Sequence, residues 1–216
     1  MHQNFSLVKL ARSCFKLILL VTLSLLPALP VIASETIIML RHGEKPEAGL
    51  GQLSCQGLNR SLALPRILFS NFGKPTAIYA PNPSDMKADH GIDYSYIRPL
   101  ATIEPTAIAA GLPVNVQIKL NDIEQLNASL LDPRYRDATI FVVWEHKLLE
   151  KAARQMVARL GGNPQQVPKW NSNDFDSLYV IHVNQAQDSK RSVSFNLEKQ
   201  GLNTLDTACP DAPLNQ

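Results

Sequence analysis

The chain lacks several things that would each point to a function. It has no cysteine cluster with metal-ligand spacing. Its three cysteines, Cys14, Cys55 and Cys209, stand far apart, which excludes a structural zinc module. No glycine-rich loop is present to cradle a nucleotide phosphate, and there is no internal repeat or low-complexity tract. Charge of one sign is also missing. Lys+Arg number 21 and Asp+Glu 19 in 216 residues, a formal net charge of +2, so no basic surface invites nucleic acid. The apolar run at residues 17–26 falls short of the ~20 residues a membrane-spanning helix needs. What remains is ordinary globular composition, 45% hydrophobic and 19% charged, enough for one sizeable domain.

The first 33 residues have the form of a secretory signal. Lys9, Arg12 and Lys16 precede the apolar run, Pro27 and Pro30 break it, and Ala33 offers a small residue for cleavage. Residues 1–33 therefore read as a signal peptide and 34–216 as a single domain, periplasmic or secreted, with no stable membrane anchor once the signal is removed. Three positive charges leave with the signal, and +2 less 3 puts the mature chain near −1. Cys14 leaves too. The remaining pair, Cys55 and Cys209, is expected to form a disulfide in an oxidising compartment and to tie down the tail.

In the mature region, residues 36–46 read TIIMLRHGEKP. Five apolar or β-branched residues predict a buried strand of a parallel sheet. They stop at Arg41-His42-Gly43, where glycine permits a tight turn. Ligands of open α/β sheets bind at the carboxyl ends of strands. Arginine donates a planar pair of charge-assisted hydrogen bonds suited to phosphate, and a neutral histidine ring nitrogen can act as a nucleophile. Residues 139–144, TIFVVW, form a second strong strand signal and end on Glu145-His146. Two histidines at the ends of two strands would meet if the strands lie side by side and parallel.

The rest of the chain alternates in the same way. A helix over 54–70 carries Pro65, which predicts a kink or a split. A short strand follows at 76–80. Residues 84–96 lack periodicity and read as an excursion or lid, with His90 solvated. A helix over 102–110 is capped by Thr102 and stopped by Gly111, and Arg98 stands just before it. A strand at 114–120, a helix over 121–131 and a helix over 147–160 come next. Glu150 and Arg154 are spaced for a solvent-side pair. Strands at 178–183 and 192–197 around a turn at 185–190 predict a C-terminal hairpin, with His182 facing outward from a sheet edge. The tail from 203 reads as irregular. The expected fold is α/β: three layers, a mostly parallel central sheet flanked by helices.

The order strand-Arg-His-Gly, pocket arginine, carboxylate, strand-His resembles the histidine phosphatase superfamily, the phosphoglycerate-mutase-like fold. The resemblance implies that His42 accepts the phosphoryl group and that Arg41, Arg98 and His146 bind phosphate. Lys45 stands where one branch has a further pocket arginine. It implies hydrolysis of a small phosphorylated substrate through a phosphohistidine, with no metal and no cofactor. The proton donor is expected to be Glu124, by its place after the pocket arginine, or Glu145, beside His146. The position directly after the second histidine, an aspartate in one branch, is Lys147 here. The alternatives are a phosphate-binding or sensor module without turnover, and a phosphomutase.

Overall fold

The computed structural model describes residues 33–185 and 191–210. The signal segment, apart from Ala33, the turn at 186–190 and the last six residues lie outside that range. Six strands form one sheet in the order β5-β2-β6-β1-β7-β8. β1 (Ala33–Arg41) occupies the middle, parallel to β6 (Thr139–Trp144) on one side and antiparallel to β7 (Ser177–Gln185) on the other. β2 (Ala77–Tyr79) and the two-residue β5 (Val114–Asn115) extend the parallel half, and β8 (Arg191–Lys199) closes the antiparallel edge.

The apolar runs at 36–40 and 139–144 are continuous because both faces of these strands are covered. Alternate side chains divide between two cores. Ile37, Met39, Ile140, Val142 and Trp144 pack against α3 (Ile123–Leu130) and α4 (His146–Arg159). Ile38, Leu40, Phe141 and Val143 pack against α1 (Cys55–Phe72) and α2 (Arg98–Ala110). This is the three-layer α/β arrangement predicted from the sequence. Each fully buried aliphatic side chain contributes about 1.5–3 kcal/mol, which fixes the strands to which the polar motifs are attached.

Several elements differ from the sequence reading. Pro65 does not split α1: Leu64 and Leu68 on either side are buried and hold the turn against the sheet. α2 begins at Arg98, not at Thr102, since Pro99 is well suited to a first helical turn. The strand expected at 114–120 stops at Asn115. Beyond it the chain turns over the strand ends, where the carbonyls of Ile118 and Leu120 accept from the Asn82 amide and the Trp144 indole. β7 is an interior strand, so His182 is not on an edge. Its ring lies half-buried, 3.1 Å from the Thr36 hydroxyl.

The 84–96 excursion is a β-hairpin, β3 (Met86–Asp89) and β4 (Ile92–Ser95). His90 (φ 52°) and Gly91 (φ 82°) form its two-residue turn, the left-handed pair that matches strand twist. His90 is solvated there, as expected. Glu150 and Arg154 do pair, at 3.0 Å, but Glu150 is half-buried and also accepts from the Trp170 amide. Residues 203–210 carry no helix or strand, and Cys55 and Cys209 are bridged.

Candidate active site

The register of β1 against β6 pairs Arg41 with Trp144. The next residues, His42 and Glu145, therefore leave the sheet side by side, and the His42 amide donates to the Trp144 carbonyl at 3.2 Å. Glu145 caps α4, accepting from the Leu148 amide at 3.0 Å, so His146 occupies the first helical position over the same strand end. The expectation that the two histidine motifs meet is thus met by parallel pairing of neighbouring strands.

His42 is buried. Its Nδ1 lies 2.7 Å from the Gly43 carbonyl. A carbonyl can only accept, so Nδ1 carries the hydrogen and Nε2 keeps its lone pair. Burial drives the ring well below the usual histidine range, reinforced by the cations Arg41, Arg98 and Lys87 and opposed by the Gly43 carbonyl. The imidazole is therefore neutral and nucleophilic at physiological pH. The ring stands edge-on to Tyr96 (5.8 Å) and Phe175 (6.2 Å). The Gly43 amide donates to the Thr102 hydroxyl (2.9 Å), which donates to the Arg98 carbonyl (2.8 Å). Thr102 is thus a tie between the loop and α2.

Arg41 is buried under the 172–175 loop. Its Nη1 donates to the carbonyls of Ser172 (2.5 Å) and Asp174 (3.4 Å), and its guanidinium lies 3.8 Å over the Phe175 ring. Arg98 is buried as well, bound through Nη1 to Asp89 at 2.5 Å and lying 4.8 Å over Tyr96. Asp89 also takes Lys45 at 3.0 Å. Burial raises the Asp89 carboxyl, but the Arg98 and Lys45 bonds outweigh it and hold it at about 2. Lys45 is therefore engaged by Asp89. Its ammonium orders the hairpin against the loop.

The hairpin also carries Lys87, a residue that the sequence did not single out. Its ammonium lies 5.1 Å from the Tyr96 ring and 3.9 Å from Glu145. Burial lowers it, and Glu145 raises it in turn. Glu145 Oε1 lies 2.9 Å from His146 Nδ1. Burial pushes the Glu145 carboxyl up, but His146, Lys87 and the Leu148 amide more than offset this and hold it at about 2. Glu145 is consequently an anion that steadies His146.

Glu124 is not brought to this site. It is exposed and paired with Arg159, in the last turn of α4. A 14-residue helix separates that end from His146 by about 20 Å. Asp122 caps the helix that follows, and Glu124 in its first turn reaches Arg159. Also unforeseen were Tyr96, Asp89 and the 172–175 loop. Only their tertiary neighbours mark them.

Among the described residues, a set of buried polar atoms around His42 has no hydrogen-bond partner: Arg41 Nε, Arg98 Nε, the Tyr96 hydroxyl and His146 Nε2, whose ring partner Nδ1 is held by Glu145. Buried polar groups are otherwise nearly always satisfied. Three are nitrogens, of two arginines and a histidine, and the fourth is a hydroxyl. Such an array is complementary to a tetrahedral oxyanion. No group of side chains among the described residues is arranged to hold a metal ion.

No protein-family model matches this chain, and no curated protein matches it by sequence. Solved structures do match. A candidate phosphohistidine phosphatase, SixA, from Nakamurella multipartitia superposes with a TM-score of 0.52 at 12% identity, over 76% of this chain and 95% of its own. This chain therefore has the α/β fold of that protein, the histidine phosphatase type of architecture. A mycobacterial glucosyl-3-phosphoglycerate phosphatase, solved with inorganic phosphate, gives 0.48 at 15% identity over 75% and 95% of the two chains. A phosphoserine phosphatase from Entamoeba histolytica, solved as a mutant with phosphoserine, gives 0.45 at 12% over 78% and 98%.

Proposed function

We propose that this protein is an exported phosphatase that hydrolyses phosphate monoesters through a phosphohistidine at His42. The observation that carries the reading is the set of unpartnered buried polar atoms on Arg41, Arg98, Tyr96 and His146, converging on a neutral His42 whose free nitrogen is Nε2. The fold shared with a candidate phosphohistidine phosphatase supports it.

In the first step the Nε2 lone pair attacks phosphorus. The P–O ester bond breaks, and its electron pair leaves on the alcohol oxygen. Charge spreading over the equatorial oxygens is met by Arg41, Arg98 and His146. In the second step water attacks phosphorus, the P–N bond breaks onto His42, and the water gives up a proton as phosphate forms. Gly43 holds the ring in the same tautomer throughout, since only Nδ1–H satisfies its carbonyl.

Neither Glu145 nor Asp89 can deliver a proton near neutrality, because both stay ionised down to about pH 2. With Glu124 remote, turnover is fastest for leaving groups that depart as stable anions. Export is supported by the signal pattern of residues 1–33 and by the Cys55–Cys209 bridge. Mass spectrometry of the exported form should find a mature chain beginning after Ala33.

The decisive experiment is phosphoryl trapping. Turnover of an aryl phosphate, quenched without acid, should leave an acid-labile, alkali-stable phosphoryl group on the peptide containing His42. His42→Ala should abolish both label and turnover, whereas chelators should leave activity intact. Full activity in His42→Ala, or a label found only elsewhere, overturns the reading. Binding of phosphate without turnover of any ester would make the protein a sensor.

A further inference from the structure

A cleft opens beside the phosphate pocket, with a volume of about 780 Å³. Its walls include His146 and Ser172, and both belong to the reaction centre: His146 by its unpartnered Nε2, Ser172 by the carbonyl that holds Arg41. The cleft therefore borders the reaction centre. It has far more room than a phosphate needs and lies in the size range of small-molecule sites. The leaving group of a bound ester has this space beside it.

The charge of the cleft is one-sided. Lys147 and Lys169 both line it, both are exposed, and neither makes an ion pair among the described residues. The only acid in its wall, Glu150, is already committed. One of its oxygens pairs with Arg154 at 3.0 Å and the other accepts from the Trp170 amide at 2.9 Å. Trp170 is a fixed wall, buried against Tyr179 with its indole N–H given to the Asp174 carbonyl. Lys147 directly follows His146, and its charge is felt as far as Lys87 within the pocket.

We propose that this cleft is the leaving-group subsite and selects phosphate esters whose leaving group carries a second anion, a carboxylate or a second phosphate. The proposal rests on the phosphatase reading for turnover, but not for binding. Each lysine is solvated, so its separate contribution is small. Two acting on one anion give a preference of about tenfold.

The test compares four esters: glycerol 2-phosphate, phosphoglycolate, ethylene glycol bisphosphate and O-phosphoethanolamine. Wild type should show a kcat/KM about tenfold higher for the two with an added anion than for glycerol 2-phosphate, and lowest for the cationic ester. The phosphoglycolate and bisphosphate arms tell which anion is preferred. In the Lys147→Ala/Lys169→Ala double variant that ratio should fall towards one, and Lys147→Glu/Lys169→Glu should invert it in favour of the cationic ester. Equal rates across the panel, or a preference untouched by the lysine variants, overturn the proposal while leaving the phosphatase reading standing.

Calorimetry supplies an arm that needs no turnover. Phosphonoacetate should bind about tenfold tighter than methylphosphonate, and the gain should vanish in the double alanine variant. Absence of turnover on all four esters and on an aryl phosphate removes the phosphatase reading. The calorimetric ratio then decides the anion subsite by itself: a gain lost in the variant supports it, and no gain overturns it.

Discussion

Removing the His42 imidazole would do two things at once, because the ring is both the proposed nucleophile and a buried partner of Tyr96 and Phe175. The packing makes some loss of stability certain, so circular dichroism should accompany the kinetics. Arg98 separates two effects more cleanly. Arg98→Ala should lower kcat by ~10²–10³, the usual cost of one oxyanion donor. It also leaves the buried Asp89 carboxylate with only Lys45, at a cost of about 3 kcal/mol. Glu124→Gln is the contrasting case. It disrupts an exposed pair at the far end of α4, so kcat/KM should stay within about twofold and stability within ~0.5 kcal/mol. A strong leaving-group-dependent loss in Glu124→Gln would return that residue to the acid role.

Among the elements, α1 is set against the catalytic loop by a close backbone approach. A Cβ on Gly57 would stand 2.3 Å from the Glu44 carbonyl oxygen and 2.9 Å from the Glu44 amide. The same loop is clamped by Arg60, which is fully buried and holds both Glu44 oxygens. The loop cannot yield on one side without straining that clamp. Gly57→Ala should therefore lower stability by about 1–3 kcal/mol and reduce kcat, because Glu44 follows His42 and Gly43 directly. Thermal melts and kinetics read both, and an unchanged kcat would mean that the loop relaxes freely. β1 carries a second elemental device. Glu35 is buried, and desolvation raises its carboxyl to about 7 from 4.5, with Arg191 pulling the other way. A raised folded pKa contributes stability that is full below about pH 4.5 and is lost as pH rises through about 7. Glu35→Gln should accordingly raise Tm at pH 8, by up to about 3 kcal/mol in stability, and change little at pH 4.

At the scale of the molecule, the Cys55–Cys209 bridge joins the start of α1 to the tail across 154 residues of chain. Closing a loop of that length stabilises by about 5 kcal/mol in the chain-entropy model. Nearby, Asn59 donates to the carbonyls of Asp206 and Ala208, and Arg60 to that of Leu202. The tail thus holds the same helix that positions the catalytic loop. Reduction, or Cys209→Ser, should cost up to that amount, seen as a lower midpoint in denaturant, and peptide mapping without reductant should show one bridged pair. A midpoint unaffected by reductant would mean that the hydrogen bonds alone secure the tail.

The sequence by itself determined the sheet's central strands, the three-layer class and the meeting of His42 with His146. Runs as apolar as 36–40 and 139–144 have only one stable place, a sheet interior covered on both faces, and parallel pairing of such strands carries both polar motifs to one end. The tertiary structure alone decided what surrounds those histidines. Lys87 and Asp89 arrive on a hairpin whose alternation is too short and polar to register as a strand pattern. The 172–175 loop reaches Arg41 from about 130 residues away. Glu124 and Glu145 look equivalent as carboxylates in a string of letters. One stands about 20 Å off in an exposed pair, and the other is held ionised by His146 and Lys87. Proton affinity depends on neighbours in space, and those neighbours come from separate parts of the chain.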